Sequence, residues 1–469
     1  MADDRLRETE VRFVVKVSNF GVLQNNDTLL METARNLGNI PAHLKVGKQV
    51  EDKAREGGVY AILGEAHFRL GQFVTVIDCF ERHLKIAEVR DRVAEGASYS
   101  RIGISHFHLG HFRKAIDNFE RLQNLAKEIG DRSMEGKAYS NLGCAHFSLG
   151  DFKTAMDYPE RHLKIAKELG DRLGEGVAYG HLGCAHRGVG DYNTAIGCHE
   201  YQLKVAKEIG NRTGEGSANT NLGSAHFSLG NFKTAINYHE SCIKIAREVG
   251  DRALEGKSFG NLGCACYRLG EFKTAIDYYE QALQIATDLE DVVAQGKAYG
   301  NLGNAHDSLG DHKTVIEYHE RQLKIAKKVG DRSGEGIAYG NLGCIHSRLR
   351  DFKEAINCHK RQLKIAKELG DRSEEAKAYG NLGDDQVSLG DFELAIENYE
   401  LQLKIAKELG DRWLEGNVCE QLGQYHYRLG DFNTAKGYHE RRLEISKEVE
   451  DKVGVACSLY GLGRCFKCK

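Results

Sequence analysis

A 40-residue period is the feature that most constrains this chain. The pair Leu-Gly recurs at Leu142-Gly143, Leu182-Gly183, Leu222-Gly223, and so on to Leu422-Gly423. The string "KAYGNLG" stands at 297–303 and again at 377–383. A period of this length signals one supersecondary unit copied along the chain. One such unit cannot bury its apolar face alone, so the copies must stack and share a continuous core. The register holds without a gap from Asp91 to Glu450. An earlier copy carries Leu63-Gly64 but is one residue short between Ala87 and Asp91. Residues 51–450 therefore read as ten repeats, and residues 451–469, with Leu462-Gly463, as a partial eleventh. At the N-terminus "HLKVGKQVEDK" echoes the later "QLKIAKELGDR". Residues 1–50 are expected to be a degenerate capping repeat rather than a separate domain.

Each unit reads as two helices. In the third repeat Ala138, Tyr139, Leu142, Ala145, His146 and Leu149 share one face at three-to-four spacing. Phe152, Ala155, Met156, Leu163, Ala166 and Leu169 do the same on the next helix. Gly150 can take the left-handed conformation that ends a helix, and Asp151 can cap the one that follows. Asp351 with Glu354 has the spacing of a capping box. Pro159 falls inside a second helix, where it should remove a hydrogen bond and kink the backbone at a cost of ~3 kcal/mol. The expected fold is all-α: a right-handed superhelical solenoid of antiparallel helix pairs.

Composition excludes several classes. The net charge of −3 gives no global basic field for nucleic acid. "MADDRLRETE" is too acidic for a signal peptide. "VRFVVKVSNFGVL" is too short and too charged for membrane insertion. The chain has 13 cysteines, and Cys144, Cys184, Cys264 and Cys344 repeat by position. That pattern suits reduced thiols of an intracellular protein. Neither Cys264-x-Cys266 nor Cys465-x-x-Cys468 has a second pair at zinc-site spacing. Eight histidines share one first-helix position: His67, His106, His146, His186, His226, His306, His346 and His426. Packed helices lie about 8–10 Å apart, too far for neighbouring rings to share an ion at about 2 Å bond lengths. They are expected to pack, and no cofactor or metal is expected. No nucleophile elbow, phosphate loop or HExxH motif is present, so no catalysis is expected.

Tyr299, Leu302, Gly303, Ala305, Gly310, Tyr318 and Leu323 fall at the spacings of the tetratricopeptide repeat. That repeat usually runs about 34 residues. Here the second helix and linker are longer, and "GDRSGEG" stands where the repeat's closing proline would be. With "AYGNLGNAH" and "YHERQLKIAKKVGDR", the array resembles that of the Pins/LGN family of G-protein-signalling modulators. The resemblance implies a non-catalytic adaptor of cell polarity or spindle orientation in the cytoplasm and at the cell cortex. Its partners would be Inscuteable-like or NuMA-like segments. That family's GoLoco motifs need an acidic residue followed by Gln-Arg. The nearest text, Asp385-Gln386-Val387, lacks the arginine, so direct Gα binding is not expected. Two alternatives stand beside this one. One is a general scaffold with unrelated partners; the other is the sensing array of a larger protease or NTPase whose catalytic domain lies outside these residues.

By the same resemblance, the first helices line a concave groove that holds extended peptides. Asn141, Asn221, Asn261, Asn301, Asn341 and Asn381 repeat there, although asparagine is a helix former about 0.6 kcal/mol worse than alanine. One turn earlier stand Lys137, Lys257, Lys297 and Lys377. Asparagine can bracket a peptide bond, and lysine can meet carboxylates through charge-assisted hydrogen bonds. The expected ligand is an extended acidic segment. Arg101, His181 and Gln421 replace asparagine, and Glu65, Asp384 and Asp385 add acid. The second glycine of "GNLG" (Gly303, Gly343, Gly383) is expected to let two helices approach. The first (Gly260, Gly300, Gly340, Gly380) is expected to gain nothing from packing in its own hairpin and to clear the groove wall for a ligand backbone.

Overall fold

The computed structural model describes residues 53–87 and 91–467. The proposed capping repeat at 1–50 lies outside them, as does the short register break before Asp91. The described residues form 21 α-helices and no strand. Odd-numbered helices are the first members of the pairs and even-numbered helices the second. In order they are α1 (Lys53–Arg69), α2 (Phe73–Ala87), α3 (Arg92–His108), α4 (Phe112–Ile129) and α5 (Arg132–Ser148). Next come α6 (Phe152–Leu169), α7 (Arg172–Gly188), α8 (Tyr192–Glu208), α9 (Arg212–Ser228) and α10 (Phe232–Val249). Then follow α11 (Arg252–Arg268), α12 (Phe272–Asp288), α13 (Val292–Leu309), α14 (His312–Val329) and α15 (Arg332–Arg348). The last are α16 (Phe352–Leu369), α17 (Arg372–Leu389), α18 (Phe392–Leu409), α19 (Arg412–Arg428), α20 (Phe432–Glu448) and α21 (Lys452–Lys467). From α1 to α9, and again from α11 to α21, each helix packs on the next, giving a helical-repeat solenoid. The chain divides into two compact units, one ending at Ile245 and one beginning at Ala246.

The punctuation is local and regular. Asp171, Asp331 and Asp371 each accept a backbone N–H from three residues on, at 2.9, 2.9 and 3.0 Å. Gly170, Gly330, Gly370 and Gly410 close second helices in the left-handed conformation. Only half of the capping box at Asp351 forms. Its carboxylate accepts from the Glu354 N–H at 3.3 Å, while the Glu354 side chain turns to Asn357. The "DRxxEG" string builds an ionic clamp. Arg132 donates to Glu135 and to Glu168, both at 2.5 Å, tying the start of α5 to the end of α6. The same three-residue bridge joins Arg332 to Glu335 at 2.7 Å and Arg412 to Glu415 at 2.6 Å. Glu135, Glu335 and Glu415 are buried, so the arginine compensates a charge that water would otherwise solvate.

The second glycine of each first helix is a seat for a ring. A Cβ at Gly303 would lie 2.5 Å from the His319 ring. At Gly343 it would lie 2.4 Å from His359, at Gly383 2.6 Å from Tyr399, and at Gly103 2.4 Å from Phe119. The close approach expected from the sequence is therefore real, and its occupant is an aromatic side chain from the paired helix. Pro159 fills this same seat, 2.9 Å from where a Gly143 Cβ would be. α6 runs through it unbroken. The buried rings His199, His239, His319, His359 and His439 all come from second helices, a position the sequence reading did not single out.

The first-helix histidines have a different task. His146 stacks on Tyr158 at 5.3 Å and reaches the helix-capping Asp151 at 3.4 Å. His306 repeats this with Tyr318 and Asp311. They are half-buried links between paired helices, in keeping with the expected packing role. Leu149 and Leu169, expected to point inward, are 41% and 51% exposed; each sits at the C-terminal end of its helix. The cysteines among the described residues form no disulfide with one another.

The ring seat yields a sharp contrast between glycines. Gly303→Ala pushes a methyl into the His319 ring and is expected to lower stability by roughly 1–3 kcal/mol. Gly260 has nothing within 4 Å of a built Cβ. Gly260→Ala is expected to be neutral or stabilising by up to ~1 kcal/mol. Urea unfolding of both variants checks this, and equal effects would contradict the packing account.

Candidate functional site

The first glycines do not lie free of their own hairpin. A Cβ at Gly300 would come within 2.8 Å of Gln322, one at Gly340 within 2.8 Å of Gln362, and one at Gly380 within 2.5 Å of Gln402. Gly180 stands the same way to Gln202, at 2.9 Å. This corrects the sequence reading: a glutamine from the second helix leans over these positions, and the glycine makes room for it. Gly260 alone among them matches the expectation of open space.

In the first unit, Arg101 pairs with Glu65 at 2.8 Å and lies 4.6 Å over the Phe68 ring. Lys137 is exposed and Asn141 half-buried one turn on. His181 reaches the Cys144 thiol at 3.3 Å and Ser140 at 3.4 Å. Burial pushes its imidazole pKa down to about 4. Asn221 donates to Gln202 at 3.2 Å. In the second unit, Asn301 and Asn381 each point back to a cysteine on the preceding first helix, Cys264 and Cys344, at 3.9 Å. Gln421 donates to Asp384 at 3.4 Å. Asn261 and Asn341 are half-buried. Several ladder residues thus stitch one first helix to the previous one and keep only part of their hydrogen-bonding capacity for a ligand. Lys257, Lys297 and Lys377 are exposed. Lys377 is held by Glu374 at 2.6 Å.

Four of the ladder residues converge. Lys257 and Asn261 on α11, with Lys297 and Asn301 on α13, rim a pocket of about 470 Å³. Its floor is Tyr279, Ala282 and Ile285 from α12, with Leu289 just past its end. A second hollow of about 420 Å³ lies on the other side of α13, lined by Lys297, Gln322, Ile325 and Asp331. Lys297 stands on the ridge between the two. The sequence reading missed the floor. The signal was Ala282, where the sister repeats carry Gln202, Gln322, Gln362 and Gln402.

A tetratricopeptide-repeat family model matches residues 94–168, 215–288, 294–368 and 345–408, more than half the chain. The chain belongs to the tetratricopeptide-repeat family. No curated protein matches it in sequence. Among solved structures, the apo quorum sensor NprR from B. thuringiensis aligns with a TM-score of 0.54 at 16% identity, over 80% of this chain and 97% of that one. Apo RapI gives 0.54 at 14% identity, over 76% and 99%. A STAND protein with a tetratricopeptide-repeat sensor from Pyrococcus horikoshii gives 0.51 at 18% identity, over 75% of this chain. The chain spans about half the length of that protein, at 54%. At these identities the likeness is one of fold. Arrays of this family are generally non-catalytic scaffolds that bind proteins or peptides. No described helix is long and apolar enough to cross a membrane.

Asp385 is not a groove residue. It is 2% exposed and occupies the core position held by Ala305 and Ile345 in neighbouring repeats. Ser347 on α15 donates to one carboxylate oxygen. The other oxygen lies 3.6 Å from His359 Nε2 on α16 and has no hydrogen bond. Asp384 beside it stays exposed and accepts from the Tyr399 hydroxyl at 2.6 Å. The signal for this cluster was "GDDQ" in place of "GCIH".

Burial, with Asp384 adjacent, pushes the Asp385 pKa up to about 6. An unfolded aspartate titrates near about 3.9. The native state therefore holds the extra proton between these values, and stability falls as pH rises through that window. His359, pushed down to about 4 by burial, acts oppositely as pH falls from its ordinary value. The difference between wild type and Asp385→Asn isolates the carboxyl. Asp385→Asn is expected to become the more stable of the two as pH rises from about 4 to 6, by a few kcal/mol (~3) at neutral pH. Urea unfolding across that range tests it; a pH-independent difference would rule the account out.

Proposed function

We propose that this chain is a non-catalytic scaffold that holds extended acidic segments of partner proteins on its first-helix face. The observation that carries this reading is the convergence of Lys257, Asn261, Lys297 and Asn301 around one apolar hollow. Lys257 and Lys297 have no carboxylate partner among the described residues and are exposed. Their charge is available to a ligand, where each charge-assisted hydrogen bond contributes roughly 1.5–3 kcal/mol. Asn261 and Asn301 stand one turn away, in reach of a main chain that lies along the rim. The other ladder positions, Lys137, Asn141, Asn221, Asn341, Lys377 and Asn381 with Arg101, His181 and Gln421, extend the contact or set its preferences within each unit.

Inscuteable-like and NuMA-like peptides are the first ligands to try, on the strength of the Pins/LGN resemblance. A role in polarity or G-protein signalling at the cortex would follow from their binding. The same face would serve a larger sensing protein equally well.

The lysines can be ranked. Lys297→Glu is expected to weaken an acidic peptide more than about tenfold, which corresponds to about 1.4 kcal/mol. Lys377→Glu is expected to do less, since Lys377 is already paired with Glu374. Fluorescence anisotropy at two salt concentrations reads both, and affinity should fall with salt. Tight binding that ignores both the charge reversal and the salt would remove this face from the function.

A further inference from the structure

We propose that the pocket between α11, α12 and α13 is the anchoring point of the array, taking one bulky apolar side chain from an extended acidic segment. This rests on the binding face proposed above and adds where along it a partner is gripped.

The pocket exists because one helix pair has lost its filler. Wherever else the first glycine occurs, a glutamine of the second helix covers it: Gln202, Gln322, Gln362 or Gln402. In the α11–α12 pair the glycine is kept as Gly260, and the covering residue is Ala282. A Cβ at Gly260 would meet nothing within 4 Å, against 2.5–2.9 Å in the four sister pairs. Both partners being small opens a hollow that the repeat elsewhere closes.

The neighbouring junction is altered as well. At the start of α13, Val292 and Gln295 stand where sister repeats carry the Arg and Glu of the ionic clamp. Gln295 turns to the Ala286 carbonyl instead, at 3.2 Å. The mouth is thereby apolar on this side, with Val293 53% exposed. The one carboxylate on the wall, Asp291, is engaged in capping α13 through the Ala294 N–H at 2.9 Å.

The chemistry of the occupant follows. A floor of Tyr279, Ala282, Ile285 and Leu289 offers no charge and favours an aromatic or long aliphatic side chain. About 470 Å³ lies within the range of ligand sites and accommodates such a side chain with its own main chain. Lys257 and Lys297 at the rim favour acidic residues on either side of it. An apolar anchor in a desolvated pocket, ringed by polar contacts, is how interfaces concentrate their binding energy.

Ala282→Gln is the decisive variant, because it installs the residue that four sister repeats already use there and is expected to preserve the fold of the full chain. Two labelled peptides serve as probes: one in which acidic residues flank a single tryptophan, and its twin with alanine in place of that tryptophan. The tryptophan peptide is expected to bind at least about tenfold tighter than its twin. Ala282→Gln is expected to erase that advantage while leaving the twin unchanged, a coupling that a double-mutant cycle measures. Lys297→Glu is expected to weaken both peptides alike. If Lys297→Glu weakens binding but Ala282→Gln does not, the binding face stands and the anchoring pocket is overturned. If neither peptide binds, the binding face falls and the pocket with it. If Ala282→Gln weakens both peptides equally, the substitution acts on the face as a whole and the anchor is again overturned.

Discussion

Everything in this array hangs on a ring pressed against a glycine. Ten first helices present a glycine from Gly64 to Gly423, and the paired helix lays a ring over it: Phe80, Phe119, Pro159, five histidines and two tyrosines. The contact sets the separation of the two helices, because the ring stands where a Cβ would be. Helix-interior glycine costs about 1 kcal/mol against alanine, and the chain accepts that cost at every copy. The identity of the ring varies freely, even to proline, because the seat asks for a flat, compact group and makes little other demand. The ionic clamp of "DRxxEG" then joins the ends of most pairs, in place of the proline that closes shorter repeats.

Against so regular a frame, departures carry the information. Ala282 for glutamine opens a pocket. Val292 and Gln295 for the clamp residues leave its mouth apolar. Asp385 for alanine places a carboxyl in the core beside Ser347 and His359, where one oxygen goes without a hydrogen bond. Such groups are costly to bury. All three departures fall in the unit that begins at Ala246. The neighbouring repeats supply an internal control for each, since the same backbone position is occupied by an ordinary residue a few tens of residues away.

Much was legible in the chain itself. Period, helix pairing, caps and left-handed closures follow from local chemistry: Asp accepts free N–H groups, and glycine tolerates positive φ. The seat glycine was also legible, since it lies beside the apolar face of its helix, where a close helix approach explains it. The first glycine was misread, because its reason lies 22 residues away in a glutamine whose side chain must fold back across the pair. The ladder asparagines were placed on the right helices, but their weak links to cysteines of the preceding repeat were not visible. Asp385 was assigned to the groove when helix phase puts it one residue round, into the core.

The repeat, its two helices and their ends follow from the chain alone, because each depends on contacts within a few residues. Which surface stays open is settled by packing between helices. That depends on pairs such as Gly260 with Ala282, and Lys257 with Lys297, which come together through packing between helices. A residue's size or charge can be read from the chain, but whether a partner covers it is settled in three dimensions.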